Sequence, residues 1–497
     1  MKSDPGGIMT AWAAAEAQPC TTVEIEWTSG SWTNETSRVV SWAIDTQMVN
    51  PLYGWLSLAG QPIGTAQIVV VNDDGRYSQS RSGSQANTYG IRGKRVRIRA
   101  GYVIGGTATY PAGYEWVGRI MDVPEAETEG TVSLSCQDML SDAKTRFLST
   151  KVNNSSTYLP EGLSPADWIT TLAGLVGLSV SSKTDTGLMR IPYCWLDESE
   201  VLRDMRDCAA SEGGALFCDN DGSVVFWNMA HWAGQTRADY GSVILGLSSY
   251  AELLPKRDYE SEYNIIASEY TPMRYGKPTT VYSLKQYISV PPSGSVSQTL
   301  NFQWPILAFV SYTLNACTAG GVSSSINVSP SSPQYAKRWD VTFSNSDTLN
   351  EVYITQFDVL AYPIDKRPAA QYIRDLSSGK PYPRRYQLPN TQYVQTQEQV
   401  ELLCDMLADR MSTVRLQAQA RQVNGNPLFE LGDIIGVTSS LTGLNEDFIL
   451  VGKHSKFGDG DYVMDLDLFA LAGLYQYSNY FKVGTSTLGA TSDVVLY

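Results

Sequence analysis

Histidine is the scarcest chemistry-bearing residue in this 497-residue chain, with only two copies, His231 and His454. They lie in unrelated stretches, which argues against a zinc site. A Ser/His/Asp triad would have to recruit one of them, from NMAHWAG or GKHSKFG, and neither stretch is a recognised catalytic motif. GxSxG elbows, Walker loops, HExxH and strand-following dinucleotide fingerprints are missing as well. No catalytic, metal-binding or cofactor-binding residue is therefore assigned, and an enzyme is not expected. Cysteine is sparse: there are seven, an odd number, with no CxxC. Cys136, Cys208 and Cys404 fall on apolar faces of expected elements, which reads as buried thiols made in a reducing cytoplasm. Charged residues are only 18% of the chain and sum to −14. That balance argues against a groove that grips DNA phosphates, but suits a wall past which DNA slides. No apolar run reaches the ~18 residues of a membrane span. The longest, residues 304–314, contains Pro305 and Ser311. The first twenty residues carry a short apolar core broken by Glu16, and Gln18-Pro19 before Cys20 fit no lipoprotein signal. They are expected to form an arm rather than a leader.

What is present is 43% hydrophobic and rich in Gly and Tyr, with Ser, Thr and Val also plentiful. This favours strands and turns in several packed units, roughly three to four at about 150 residues each. The expected fold class is mainly β with a small α/β domain. It is multidomain, with two barrel-like units and an inserted β-sandwich.

The units are read as follows. Residues 1–20 form the arm and residues 21–148 a first barrel-like β domain. In the latter, Val96, Ile98 and Ala100 face a core while Arg95, Arg97 and Arg99 face out, as a solvated face or protein contact. Glu125, Glu127 and Glu129 are a charged hairpin tip. Residues 149–258 form a small α/β domain. One helix opens at Ser164-Pro165, with Trp168, Leu172, Leu175 and Val176 inward, and a second opens after Asp197. A hairpin there turns on Asp219-Asn220-Asp221-Gly222; it looks like part of a calcium loop but lacks the downstream glutamate. Residues 259–277 and 384–474 make a second, split barrel-like domain. It includes a helix with a capping box at Thr396 and Gln399. Residues 278–383, poor in charge and rich in Ser, Asn, Pro and aromatics, are the inserted β-sandwich. Residues 475–497 are a C-terminal arm.

Two sets of residues stand out. Gly75, Gly222, Gly432 and Asp433 sit at tight turns and are assigned to backbone geometry. Trp304, Trp339 and Tyr353 in the sandwich are candidates for stacking on a glycan, against the plainer reading that they fill its core.

The order of motifs resembles one family. A DGRYS turn precedes GRI and VSLSCQDML; then comes DESEVLRDMRDCAASEGGALFCDNDGSVVFW. A strand, an insertion, a helix, a long strand and NPLFELGDIIGVT follow. This arrangement resembles the hub proteins at the distal end of phage tails, related to contractile baseplate hubs and gene transfer agent hubs. It covers residues 21–271 and 384–471; the insertion and the C-terminal arm depart from the minimal pattern. The resemblance implies a homotrimeric ring in which two barrel-like domains per chain alternate, joining a six-fold tail tube to a three-fold tip. It also implies a virion location and passage of DNA through the lumen. The implied partners are a tail-tube or distal-tail ring, other tip or fibre proteins, and a tape-measure protein. A receptor- or glycan-binding tail protein that uses the sandwich is the alternative.

Overall fold

The computed structural model describes residues 1–14, 16–48, 63–124, 130–153, 162–233, 235–259, 262–380 and 382–471. The Glu125–Glu129 tip and the C-terminal arm lie outside these residues. The protein is mainly β, as expected.

Eight strands come first: β1 Pro19–Thr28, β2 Ser31–Asn34, β3 Val39–Gln47, β4 Thr65–Val71, β5 Arg95–Ile104, β6 Thr107–Thr109, β7 Trp116–Asp122 and β8 Thr131–Asp138. Next come helices α1 Pro165–Leu175 and α2 Val201–Ala210, the hairpin β9 Ala215–Cys218 and β10 Val224–Trp227, and β11 Glu252–Asp258. The insertion supplies β12 Thr279–Ser283, β13 Ile288–Val290, β14 Ser295–Asn301, β15 Ile306–Thr318, β16 Ile326–Ser329, β17 Arg338–Asn345 and β18 Val352–Lys366. Helix α3 Gln397–Met411 and strands β19 Arg415–Asn424, β20 Ile434–Ser439, β21 Leu444–Gly458 and β22 Asp461–Ala470 end the described chain.

The two expected β units are not separate. They share one 14-stranded sheet whose main path runs β11-β19-β22-β21-β3-β4-β8-β7-β5-β1-β2. The join is an antiparallel ladder between β21 and β3, from Gly452 opposite Gln47 to Gly458 opposite Ser41. Among the described strands this path is open rather than closed into barrels. Alternation places the inward residues: Val96, Ile98, Val132 and Leu134 from the first unit share one core with Ala420, Met464, Leu466 and Leu468 from the second. Both ends of the path are blunted against strand addition. β2 has four residues. β11 carries Pro255, which lacks an amide hydrogen, followed by Lys256 and Arg257.

Several local expectations shift. The residues expected to be an arm fold back: Ile8 and Trp12 are buried in the shared core, and the Trp12 indole donates to Asn424 O at 2.8 Å. Ser164 caps α1 as expected, but its buried face is Trp168, Ile169, Leu172 and Ala173, and Leu175 is half exposed. Helix α2 starts at Val201, because Ser199 and Glu200 first pair with Leu148 and Phe147. Its stripe of Val201, Leu202, Met205, Cys208 and Ala209 is buried as read. The Thr396–Gln399 capping box opens α3. The apolar run at 304–314 is largely strand β15, which pairs along β18. All seven cysteines are unpaired thiols, five of them buried.

Candidate functional site: the seam between the two β units

The seam is where the first and second β units meet, and it is held by buried charge. Lys453 on β21 and Glu115, just before β7, are both fully buried and lie 2.9 Å apart. The Lys453 ammonium also donates to Phe429 O at 3.1 Å, and the Ser455 hydroxyl donates to the same Glu115 oxygen at 3.0 Å. Lys2 approaches the other Glu115 oxygen at 3.8 Å and donates to Tyr114 O at 2.6 Å and Pro427 O at 3.1 Å. Burial pushes the Lys2 ammonium below its usual range and the Tyr462 hydroxyl above its own. One carboxylate thus ties together the loop before β7, strand β21, the turn ahead of β20 and the N-terminal segment. A desolvated pair of this kind contributes little net stability as such, but it penalises any register in which either partner is left alone.

A second ion group lies on the outward side of the same ladder. His454 Nδ1 sits 3.2 Å from Asp45 Oδ1 on β3, and Nε2 sits 3.6 Å from Asp467 Oδ2 on β22. The contact with Asp467, opposed by partial burial and reinforced by Asp45, raises the imidazole above its ordinary range. His454 therefore bridges three strands between two carboxylates that favour its protonated form. His231 has a different setting: its ring stacks on Trp227 at 4.1 Å and 13°, with Nδ1 3.0 Å from Asp185 Oδ1.

Of the expected turn residues, Gly432 and Asp433 sit in the turn ahead of β20 beside the seam, and Gly222 and Gly75 close turns elsewhere. Gly432 has φ of 86°, and a Cβ there would lie 2.2 Å from the Trp227 ring. Asp433 is buried; its Oδ2 accepts from Glu430 N at 2.7 Å, and its other oxygen meets the Met1 amino group. Burial pushes this carboxyl up to about 6. Sequence reasoning placed Asp433 in the turn but missed its ionic partner. Beside it opens a cleft of about 490 Å³ lined by Lys183, Asp221, Trp227, His231, Glu430 and Asp433. Gly222, with φ of 81°, closes the β9–β10 turn against Met139 and Val117. Gly75, with φ of 64°, faces the Arg81 side chain.

The arginines of β5 do not form an open cationic face. Arg97 stacks on Trp32 at 4.1 Å and pairs with Glu24 at 2.7 Å. Arg99 lies over Tyr114 at 4.6 Å, and Arg95 is 3.7 Å from Glu26. Cation–π stacking and neighbouring carboxylates occupy this side of the sheet.

The three sandwich aromatics part company. Trp339 is fully buried among Phe309, Tyr312 and Phe357, and Trp304 is partly buried in the loop before β15. Tyr353 lies on an outward sheet face, 5.8 Å from Tyr287. Tyr287 was not singled out from sequence; no periodic signal marks it, because it precedes a three-residue strand.

No family description and no curated protein matches this sequence. Solved structures with a similar overall arrangement include the 43 kDa tail protein of prophage MuSo2 from Shewanella oneidensis, at 11% identity and TM-score 0.48, covering 90% of this chain and 98% of that one. A tail protein from Neisseria meningitidis MC58 is 11% identical with TM-score 0.47, covering 92% of this chain and 98% of that one. Prophage tail protein gp18 from Listeria monocytogenes EGD-e is 8% identical with TM-score 0.41, covering 90% and 94%.

Proposed function

We propose that this chain is a non-enzymatic structural hub of a phage tail tip. Three copies close a ring that joins a six-fold tail tube to a three-fold tip, and DNA passes through the lumen at ejection. The observation that carries this reading is the β3–β21 ladder, which lays two β units edge to edge within one chain. One polypeptide so built fills two neighbouring positions of a ring, and three copies supply six β units, which resolves a three-to-six mismatch without a second protein. Buried charge at the seam keeps those two positions in fixed register. The blunted edges at β2 and β11 direct subunit contacts to sheet faces and loops rather than to strand addition. The net charge of −14 fits a lumen wall that DNA does not adhere to.

In this reading the chain sits at the tail tip of the virion. Its partners are the tail-tube or distal-tail ring, other tip or fibre proteins, and the tape-measure protein. Light scattering of the purified full chain, alone and mixed with the tail-tube protein of the same phage, tests the reading. A mass of three chains, or a trimer that forms on the tube, is expected. A monomer that never associates with the tube protein would sink it.

A further inference from the structure

The outward face of the insertion's sheet is a second, independent site. Strand β18 runs through the middle of this sheet, with β13 beside its start and β15 along its other side. Tyr287 is 69% exposed, and its ring meets that of Tyr353 edge-on at 5.8 Å. Ser289, opposite Tyr353 in the ladder, donates to one oxygen of the exposed Glu351. The Tyr353 hydroxyl donates to the other at 2.6 Å. Further along, the Asn315 amide donates to Gln356 Oε1 at 2.6 Å, and the Gln356 amide donates to Asp358. Hydroxyl and amide donors thus hold both carboxylates below their usual range, Ser289 chiefly for Glu351 and Gln356 chiefly for Asp358.

We infer that this face binds a neutral oligosaccharide, with Tyr287 and Tyr353 stacking on sugar rings and Glu351 accepting hydroxyl hydrogens. Three features select that ligand class. No Lys or Arg occurs in β12, β13 or β15, nor in β18 before its last residue; the loop before β13 adds one exposed cation, Lys285, outnumbered by Glu351 and Asp358, and a lone lysine beside two carboxylates does not favour a phosphate, sulfate or nucleic acid. The carboxylates stay ionised and already have fixed donors on one side, which leaves acceptor lone pairs facing solvent. The exposed aromatic rings offer apolar area at low conformational cost next to those acceptors. A pyranose ring, apolar on its C–H face and rimmed by hydroxyls, complements this combination. The site differs from the expected one: Trp339 belongs to the core, and Tyr287 and Glu351 join Tyr353.

The inference does not depend on the hub reading. The test is direct titration of the full-length chain with a panel of neutral homo-oligosaccharides of glucose, galactose, rhamnose and N-acetylglucosamine. Binding to at least one is expected. Tyr287→Ala or Tyr353→Ala should each weaken it about threefold to tenfold without moving the melting temperature. Glu351→Gln should weaken it while keeping the fold. No binding across the panel at millimolar sugar would overturn the proposal. So would binding that Tyr287→Ala and Tyr353→Ala leave unchanged, or a loss of oligomeric mass on those substitutions without any sugar binding.

Discussion

The body of the protein and its insertion use the same secondary structure, but the body buries acids that the insertion keeps at its surface. In the body, three deeply buried carboxyls are pushed upward, Asp138 and Glu212 to about 7 and Asp433 to about 6, although others there, such as Asp74 and Glu430, are held down by a partner arginine or lysine. In the insertion, Asp347, Glu351 and Asp358 stand at the surface and are held below their usual range by hydroxyl, amide and backbone donors. Burial penalises the charge in the first case; donated hydrogen bonds stabilise it in the second. The body spends its polar groups on fixing chain segments to one another. Glu212, for example, holds the loop at Leu188 and Met189 through their amides. The insertion leaves its polar groups where another molecule can reach them.

The largest expected effect falls on the seam. Lys453→Met leaves the Glu115 carboxylate in a dry site with only the Ser455 hydroxyl and the more distant Lys2 and should cost about 3 kcal/mol in denaturant unfolding. Adding Glu115→Gln to it should restore a large part of that loss. An equal loss in the double variant would show that packing, not charge pairing, governs the seam. Next is Gly432→Val, which combines a left-handed backbone with a collision against Trp227 and should cost about 3 kcal/mol. Ring assembly should fail with it; wild-type assembly would detach this turn from the seam.

A pH titration separates the two regions further. Asp138 and Glu212 keep their protons up to about pH 7 in the folded state but release them at about pH 4, the ordinary carboxyl range, when unfolded. Their contribution is fully present below about pH 4 and is lost as pH rises through about 7. The exposed carboxylates of the insertion have the opposite sign: their contribution is present above pH 4 and is lost on further acidification. Calorimetry of Glu212→Gln should show a shallower fall in melting temperature between pH 4 and 7. An unchanged slope would place the linkage elsewhere. The smallest effect belongs to the sheet face, where Tyr287→Ala should change stability by less than about 0.5 kcal/mol.

Much of the body was legible in the sequence because its signals are local. Period-two alternation marked β5 and β8, the Ser164 and Thr396 caps marked α1 and α3, and Asp219-Asn220-Asp221-Gly222 marked the β9–β10 turn. The seam was not legible. The Glu115–Lys453 contact joins residues more than three hundred positions apart, and a lone Lys on a β-strand reads as surface. The join of β3 to β21 is equally non-local, so two units were expected where one shared sheet exists. In the insertion, an aromatic-rich composition pointed to stacking residues but could not sort Trp339, which faces the core, from Tyr353, which faces out. Only the strand register separates them.

The central claim is that one chain fills two positions of a ring. Electron cryo-microscopy of the tail tip assembled from this chain and its tube protein tests it most directly. The account predicts three chains closing a ring at the end of the tube, with six β units meeting the tube's six subunits. A ring of six chains, or a single copy at the tip, would contradict it.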